Sequence, residues 1–192
     1  MRTHCKANIR GLFSILPVCG LLAPHLHADS TQTGCEIRAM GQFIEGAPTD
    51  RFIFTNESDA GWSISRLELE LGSSTGNLIF DTTDQGAGVD VFQPFKSETG
   101  SAALLSQPTV DDGDQRLELV FSHFKPSESF QFTIDLDDQL SDSDLGQIRI
   151  SDSEIQGATV QINVVSDTGQ TTTLSAEFDQ SSALRVVGNG CS

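Results

Sequence analysis

Apolar and polar residues alternate one by one along most of this chain, and a period of two dictates strands. Phe130, Phe132, Ile134 and Leu136 occupy every second position, as do Leu117, Leu119 and Phe121. The same beat runs through Val160, Ile162 and Val164, through Leu174, Ala176 and Phe178, and through Leu184 and Val186. Successive side chains of a strand point to opposite faces, so strict alternation puts one face in a core and the other in water. Gly, Asp, Asn, Ser and Pro, the turn-forming residues, fill the gaps.

The pattern predicts about ten short strands, near 36–44, 51–56, 62–71, 77–81, 89–93, 117–122, 129–136, 147–151, 158–165, 171–178 and 183–187. Gly100–Leu105 (GSAALL) is expected to form one helical turn, and no longer helical period competes. Many short strands between turns read as an all-β fold, here an antiparallel, jelly-roll-like β-sandwich with two packed sheets. Trp62 and Ile64 sit on even positions, whereas Leu67, Leu69 and Leu71 sit on odd ones. A phase slip would turn apolar side chains outward unless one extra residue is absorbed, so a β-bulge is expected near Ser65–Arg66. Trp62 is expected in the core.

Residues 1–28 differ from the rest. Arg2, Lys6 and Arg10 precede the apolar run Gly11–Leu22, and Ala23–Ala28 follows. This is the layout of a secretory signal peptide, with cleavage expected after Ala28. The apolar stretch is shorter than the ~20 residues a membrane span needs. A lipoprotein cleavage before Cys19 is disfavoured because Val18 is not small. The expected organisation is therefore a leader over 1–28 and one sandwich domain over 29–192, released to the periplasm or the cell exterior.

The leader holds three of the 11 basic residues and none of the 27 acidic ones, so 8 basic residues face 27 acidic ones in the remainder, a net charge of −19. Such a surface repels nucleic acid and anionic lipid and suits cations or basic partners. Two cysteines remain outside the leader, Cys35 and Cys191. In an oxidising compartment an isolated pair is expected to form a disulfide. It would close a loop of about 155 residues, for which chain entropy gives at most about 5 kcal/mol.

The residues needed for common enzyme chemistry are scarce. His123 is the single histidine after the leader, at a strand end, and no Gly-x-Ser-x-Gly elbow surrounds any serine. A zinc site would need a His and Cys cluster; a glycosidase works with paired carboxylates in a cleft lined by aromatics, and this chain has one tryptophan, no tyrosine and phenylalanines that largely follow the strand alternation. No catalytic residue is assigned. Asn56-Glu57-Ser58 has the form of a glycosylation sequon and is read as a turn.

Carboxylates are the remaining chemical signal. Asp111, Asp112 and Asp114 form a tight acidic turn around Gly113, and Asp135, Asp137 and Asp138 end a strong strand, with Asp142 and Asp144 following. Calcium takes six to eight oxygen ligands, which acidic loops at strand ends can supply. The same residues also suit solvated hairpin turns, and both readings stand at this point.

Several segments carry a family resemblance. These are Phe54-Thr55-Asn56-Glu57-Ser58, Trp62 to Leu69, Leu78-Ile79-Phe80-Asp81, Gly86 to Phe95, Pro108 to Asp114 and Phe132 to Asp138. Over roughly Phe43 to Val165 the chain resembles secreted bacterial proteins labelled "aggregation factor core". The resemblance implies a secreted, non-enzymatic, adhesive protein of the cell surface or matrix, dependent on calcium. Its expected partners are extracellular polysaccharide, a cell-surface protein or further copies of itself. In physical terms, Gly86 and Gly88 permit backbone conformations closed to other residues, and Pro94 is expected to close an edge strand. A carbohydrate-binding module of the periplasm or cell exterior is the alternative, with Trp62 as its one strong aromatic.

Overall fold

A computed structural model of the chain describes residues 34–46 and 49–191; the leader expected over residues 1–28 lies outside them. The elements in chain order are β1 (Glu36–Ile44), β2 (Arg51–Asn56), β3 (Trp62–Glu70), β4 (Ile79–Asp81), β5 (Lys96–Ser97), β6 (Ala103–Leu104), β7 (Arg116–His123), β8 (Ser129–Thr133), β9 (Asp135–Asp137), α1 (Asp152–Ile155), β10 (Thr159–Ser166), β11 (Thr171–Glu177) and β12 (Ala183–Asn189). One sheet has the order β12-β1-β2-β8-β5 and the second β11-β10-β3-β7-β6, while β4 and β9 pair as a separate ribbon. All pairings are antiparallel. The expected sandwich is the one found.

Alternation sets which face each strand buries. On β2, Phe52 and Phe54 point inward, and on β8 so do Phe130 and Phe132, which pair directly with them. The second sheet contributes Trp62, Ile64, Leu67, Leu69, Leu117, Leu119, Val160, Ile162 and Val164 to the same core. The phase slip in β3 is a bulge: Arg66 opposes Asn163 and Ile64 opposes Val164, leaving Ser65 unpaired. Its hydroxyl donates to the Asn163 carbonyl at 3.0 Å. Both Ile64 and Leu67 thereby reach the core.

Trp62 is 2% exposed and its Nε1 donates to the Gly34 carbonyl at 3.0 Å. Asn56 is fully buried. Its Nδ2 donates to the carbonyls of Trp62 and Phe124, at 3.0 and 2.9 Å, and its Oδ1 accepts from the Ser58 N–H. The sequon asparagine is thus the peg that joins the end of β2 to the start of β3 and to the residue following β7, and its amide is not open to a glycan in the folded chain.

Several local expectations need correction. Residues 100–105 form no helical turn; Ala103 and Leu104 pair with β7 as edge strand β6. Residues 89–93 and 147–151 are not strands, because carboxylates and turns take their backbone donors. The Val89 N–H goes to Asp137 and the Ile150 N–H to Glu45, while Arg149 N–H closes a turn onto Gly146. Pro94 precedes the edge strand β5 instead of closing one. The run 129–136 breaks at Ile134, whose N–H leaves the sheet for the Asp50 carbonyl. The short helix α1, four residues long, is too short to carry a helical period. Its signal is local: Glu154 accepts from the Ser151 N–H at 2.8 Å, half of a capping box.

Cys35 and Cys191 are bonded, with Cα atoms 5.2 Å apart. The bridge lies beside the β1–β12 pairing, where Glu36 opposes Asn189. It joins the two ends of the described chain across 156 positions of sequence. Replacing both cysteines by alanine is expected to cost about 3 kcal/mol, within the usual range for native disulfides. At about 2–4 °C per kcal/mol for a domain of this size, a melt of the double variant should shift down by about 6–12 °C. An unchanged melting point would place the constraint elsewhere.

Candidate metal centre

The face that alternation assigned to water on the last β8–β9 residues is not in water. In the β4–β9 ribbon Phe80 opposes Leu136, and both point into the core, fully buried. The other face carries Asp81 opposite Asp135, with Ile79 opposite Asp137. All three aspartates are buried: Asp81 is 3% exposed, Asp135 and Asp137 1% each. One carboxylate oxygen from each lies within 4.8 Å of the others.

The cover is the segment 82–95. The Gln93 N–H reaches the Asp81 carbonyl at 3.2 Å and the Gln93 carbonyl accepts from the Asp135 N–H at 3.0 Å. Gln93 Nε2 donates to Thr133 Oγ1 at 2.7 Å. The Val89 N–H donates to Asp137 Oδ2. Gly88 makes the close approach possible: a Cβ there would sit 2.2 Å from Asp137 Oδ2 and 2.4 Å from Asp81 Cγ. Gln85 and Asp90 hold positive φ angles, 57° and 61°, as the segment turns over the carboxylates.

The cluster is short of hydrogen bonds. Asp135 accepts none at either oxygen, and Asp81 Oδ1, Asp137 Oδ1 and Asp138 Oδ2 are likewise buried and unpartnered. Buried carboxylate oxygens without donors are costly and rare. Burial, and then the charges of Asp137 and Asp81, push Asp135 up to about 8. Burial raises Asp137 to about 6 against the opposing Val89 N–H. Burial and the charge of Asp112 raise Asp81 to about 6. Asp50, 1% exposed, lies next to the cluster and is pushed well above the carboxylate range by burial and by Glu45.

The structure separates the six aspartates singled out in the sequence. Asp135 and Asp137 join the cluster. Asp138 is adjacent and fully buried; its Oδ1 accepts the Leu140 N–H at 2.8 Å. Asp112 holds the cover from outside, its carboxylate accepting the N–H groups of Thr82 at 2.7 Å, Thr83 at 3.1 Å, and Ala87. Burial pushes the Asp112 carboxyl up, but those donors outweigh it and hold it below the usual range. Asp111 and Asp114 close their own turn, Asp111 N–H to Asp114 Oδ2 at 3.1 Å, and are exposed.

Asp81, the third member of the cluster, is not among the six aspartates that the sequence singles out. Its signal was the apolar run Leu78-Ile79-Phe80 ending in an acid, but only the ribbon register shows that it opposes Asp135. His123 ends β7 with its ring against the Ser101 carbonyl at 3.1 Å, at a distance in sequence and sheet from the cluster.

A buried set of three aspartates with unpartnered oxygens can hold a hard divalent cation, because the ion supplies the positive charge and the lone-pair partners that the protein does not. No protein-family model, no curated protein and no solved structure matches this chain.

Proposed function

We propose that this chain is an exported, non-enzymatic adhesion or matrix-binding module whose binding loop depends on calcium. The carrying observation is the buried carboxylate cluster beneath the segment 82–95. That segment presents Val91 and Phe92, 38% and 41% exposed, at the surface just past Val89, whose N–H donates to Asp137, and Asp90. Binding residues concentrate on loops held by a rigid scaffold, and here the scaffold and the loop share the carboxylates. The Cys35–Cys191 bridge fits an oxidising compartment. Among the described residues no helix is long and apolar enough to cross a membrane. The resemblance to aggregation factor core proteins supports the same reading, with polysaccharide, a surface protein or a second copy as the partner. The carbohydrate-binding alternative loses its aromatic platform, since Trp62 is inside the core.

The test is retention of the purified protein on producing cells and on their isolated polysaccharide, together with its sedimentation alone, in 2 mM CaCl2 and in EDTA (concentrations of about this order saturate extracellular calcium sites). Calcium-dependent retention or self-association is expected. Protein that stays free and monomeric under both conditions removes the adhesive reading.

A further inference from the structure

We infer that Asp81, Asp135 and Asp137 form a Ca2+ site that clamps the segment 82–95 onto the β4–β9 ribbon. The inference deepens the proposed calcium dependence by naming its ligands, and it rests on that reading only for its biological use.

The geometry argues for one ion. Three carboxylate oxygens within 4.8 Å of one another fit around a single Ca2+, whose ligands at 2.3–2.6 Å lie at most about 4.6–5.2 Å apart. The independent observation is the state of the oxygens themselves. Asp135 is 1% exposed with both oxygens unpartnered, and Asp81 Oδ1 and Asp137 Oδ1 are buried and unpartnered beside it. Asp137 divides its labour: Oδ2 takes the Val89 N–H and Oδ1 is free. A cation on Oδ1 would therefore be joined through one carboxylate to the covering segment. Asp138 Oδ2, also buried and unpartnered, is close enough in charge to act on Asp137.

The donor set selects among cations. All three groups are hard carboxylates, without the imidazole or thiolate that zinc prefers. Magnesium keeps several waters and is usually held by one or two carboxylates. A buried site with three carboxylates suits the larger, more readily dehydrated Ca2+.

Gly88 is part of the design. Its missing side chain lets the backbone lie against Asp81 and Asp137, so a methyl group there would push either the segment or the carboxylates away from the ion.

The experiment uses the full protein stripped with EDTA and titrated calorimetrically with CaCl2, and separately with MgCl2, with melting curves in parallel. One Ca2+ per chain is expected, with a higher melting point and weaker Mg2+ binding. Loss of an outer-sphere partner alone typically costs 10–100-fold in metal affinity, so Asp135→Asn should lose at least about 100-fold. Gly88→Ala should lose about tenfold or more, whereas Asp111→Asn, on the exposed turn, should bind as the parent does. Limited proteolysis should cut within 82–95 faster in EDTA than in calcium.

The wild-type titration decides the matter even if Asp135→Asn fails to fold. No heat and no melting shift at millimolar calcium overturns the site, as does Asp135→Asn binding with unchanged affinity. A chain that binds calcium but not cells or polysaccharide keeps the site and loses the adhesive function. Adhesion indifferent to EDTA, in a chain that does not bind calcium, does the reverse.

Discussion

In EDTA the protein is expected to lose thermal stability as pH rises from about 5 to 8, and in calcium it is expected to hold it. In the calcium-free protein the folded-state values of Asp81, Asp137 and Asp135 lie near 6, 6 and 8, against an ordinary value of 3.8. Between these limits the folded protein keeps protons that the unfolded chain has released. The folded state then binds more protons than the unfolded one, and stability must fall with rising pH. Asp50, raised by burial and by Glu45, acts in the same sense. Asp112, Glu154, Glu36 and Asp179 are lowered and act in the opposite sense, but below the ordinary carboxylate range and outside this window.

A raised carboxyl costs about 1.4 kcal/mol per pKa unit when it must ionise. The coupled cluster should therefore cost on the order of 5 kcal/mol across the window, a fall of on the order of 10 °C in melting point. At the proposed site calcium would take the place of the protons, so its stabilising effect should grow as pH rises. Melting curves at pH 5, 6, 7 and 8, with calcium and with EDTA, check both slopes. A chain more stable at pH 8 than at pH 5 in EDTA would show that the carboxylates are satisfied by donors of the protein itself and need no cation.

The same carboxylates explain where the sequence was legible and where it was not. Each long strand announced itself, because its inner face had to be apolar at every second residue: β2, β3, β7, β8, β10 and β12 lie close to the expected spans. Even the Ser65 bulge could be read, since a phase slip leaves a trace in residue order. Residues 89–93 and 147–151 alternate too, yet they are not strands. Their backbone donors are captured by Asp137 and Glu45, partners distant in the chain that no local pattern reveals.

The candidate site was half legible for a related reason. Asp135 and Asp137 stood out as acids ending a strand, and alternation correctly put them opposite the core side of Leu136. Alternation cannot say whether a polar face is open or covered by another segment. The cover and the third carboxylate of the cluster, Asp81, follow from the β4–β9 register and from the close fit of Gly88. The acidic turn Asp111–Asp114 had the stronger local signature, yet it serves as a clasp on the cover through Asp112.

The second large effect concerns the core on which this arrangement hangs. Phe52 is fully buried on β2. Its ring lies 5.1 Å from Phe43 and 5.1 Å from Phe132, its direct neighbours on β1 and β8, and 6.1 Å from Phe178 near the second sheet. The ring thus ties together the three central strands of one sheet and reaches toward the other. Truncation to alanine removes the apolar burial and these ring contacts and leaves a cavity whose walls are strands in fixed register, with little freedom to collapse. Phe52→Ala is expected to cost about 4–5 kcal/mol, at the upper end for such truncations, seen as a fall of about 8–20 °C in melting point. Phe52→Leu keeps most of the volume and should cost about 1.5 kcal/mol. Val187→Thr, at a position 58% exposed on β12, should change stability by no more than about 0.5 kcal/mol. Chemical denaturation of the three variants orders them; if Phe52→Ala unfolds with the Val187 variant, the aromatic cluster does not bind the sheets together. Phe132 leads directly through Thr133 and Ile134 to Asp135, so a loosened Phe52–Phe132 pair should also weaken calcium binding, because the ribbon that carries the carboxylates is the continuation of the strand that Phe52 holds in place.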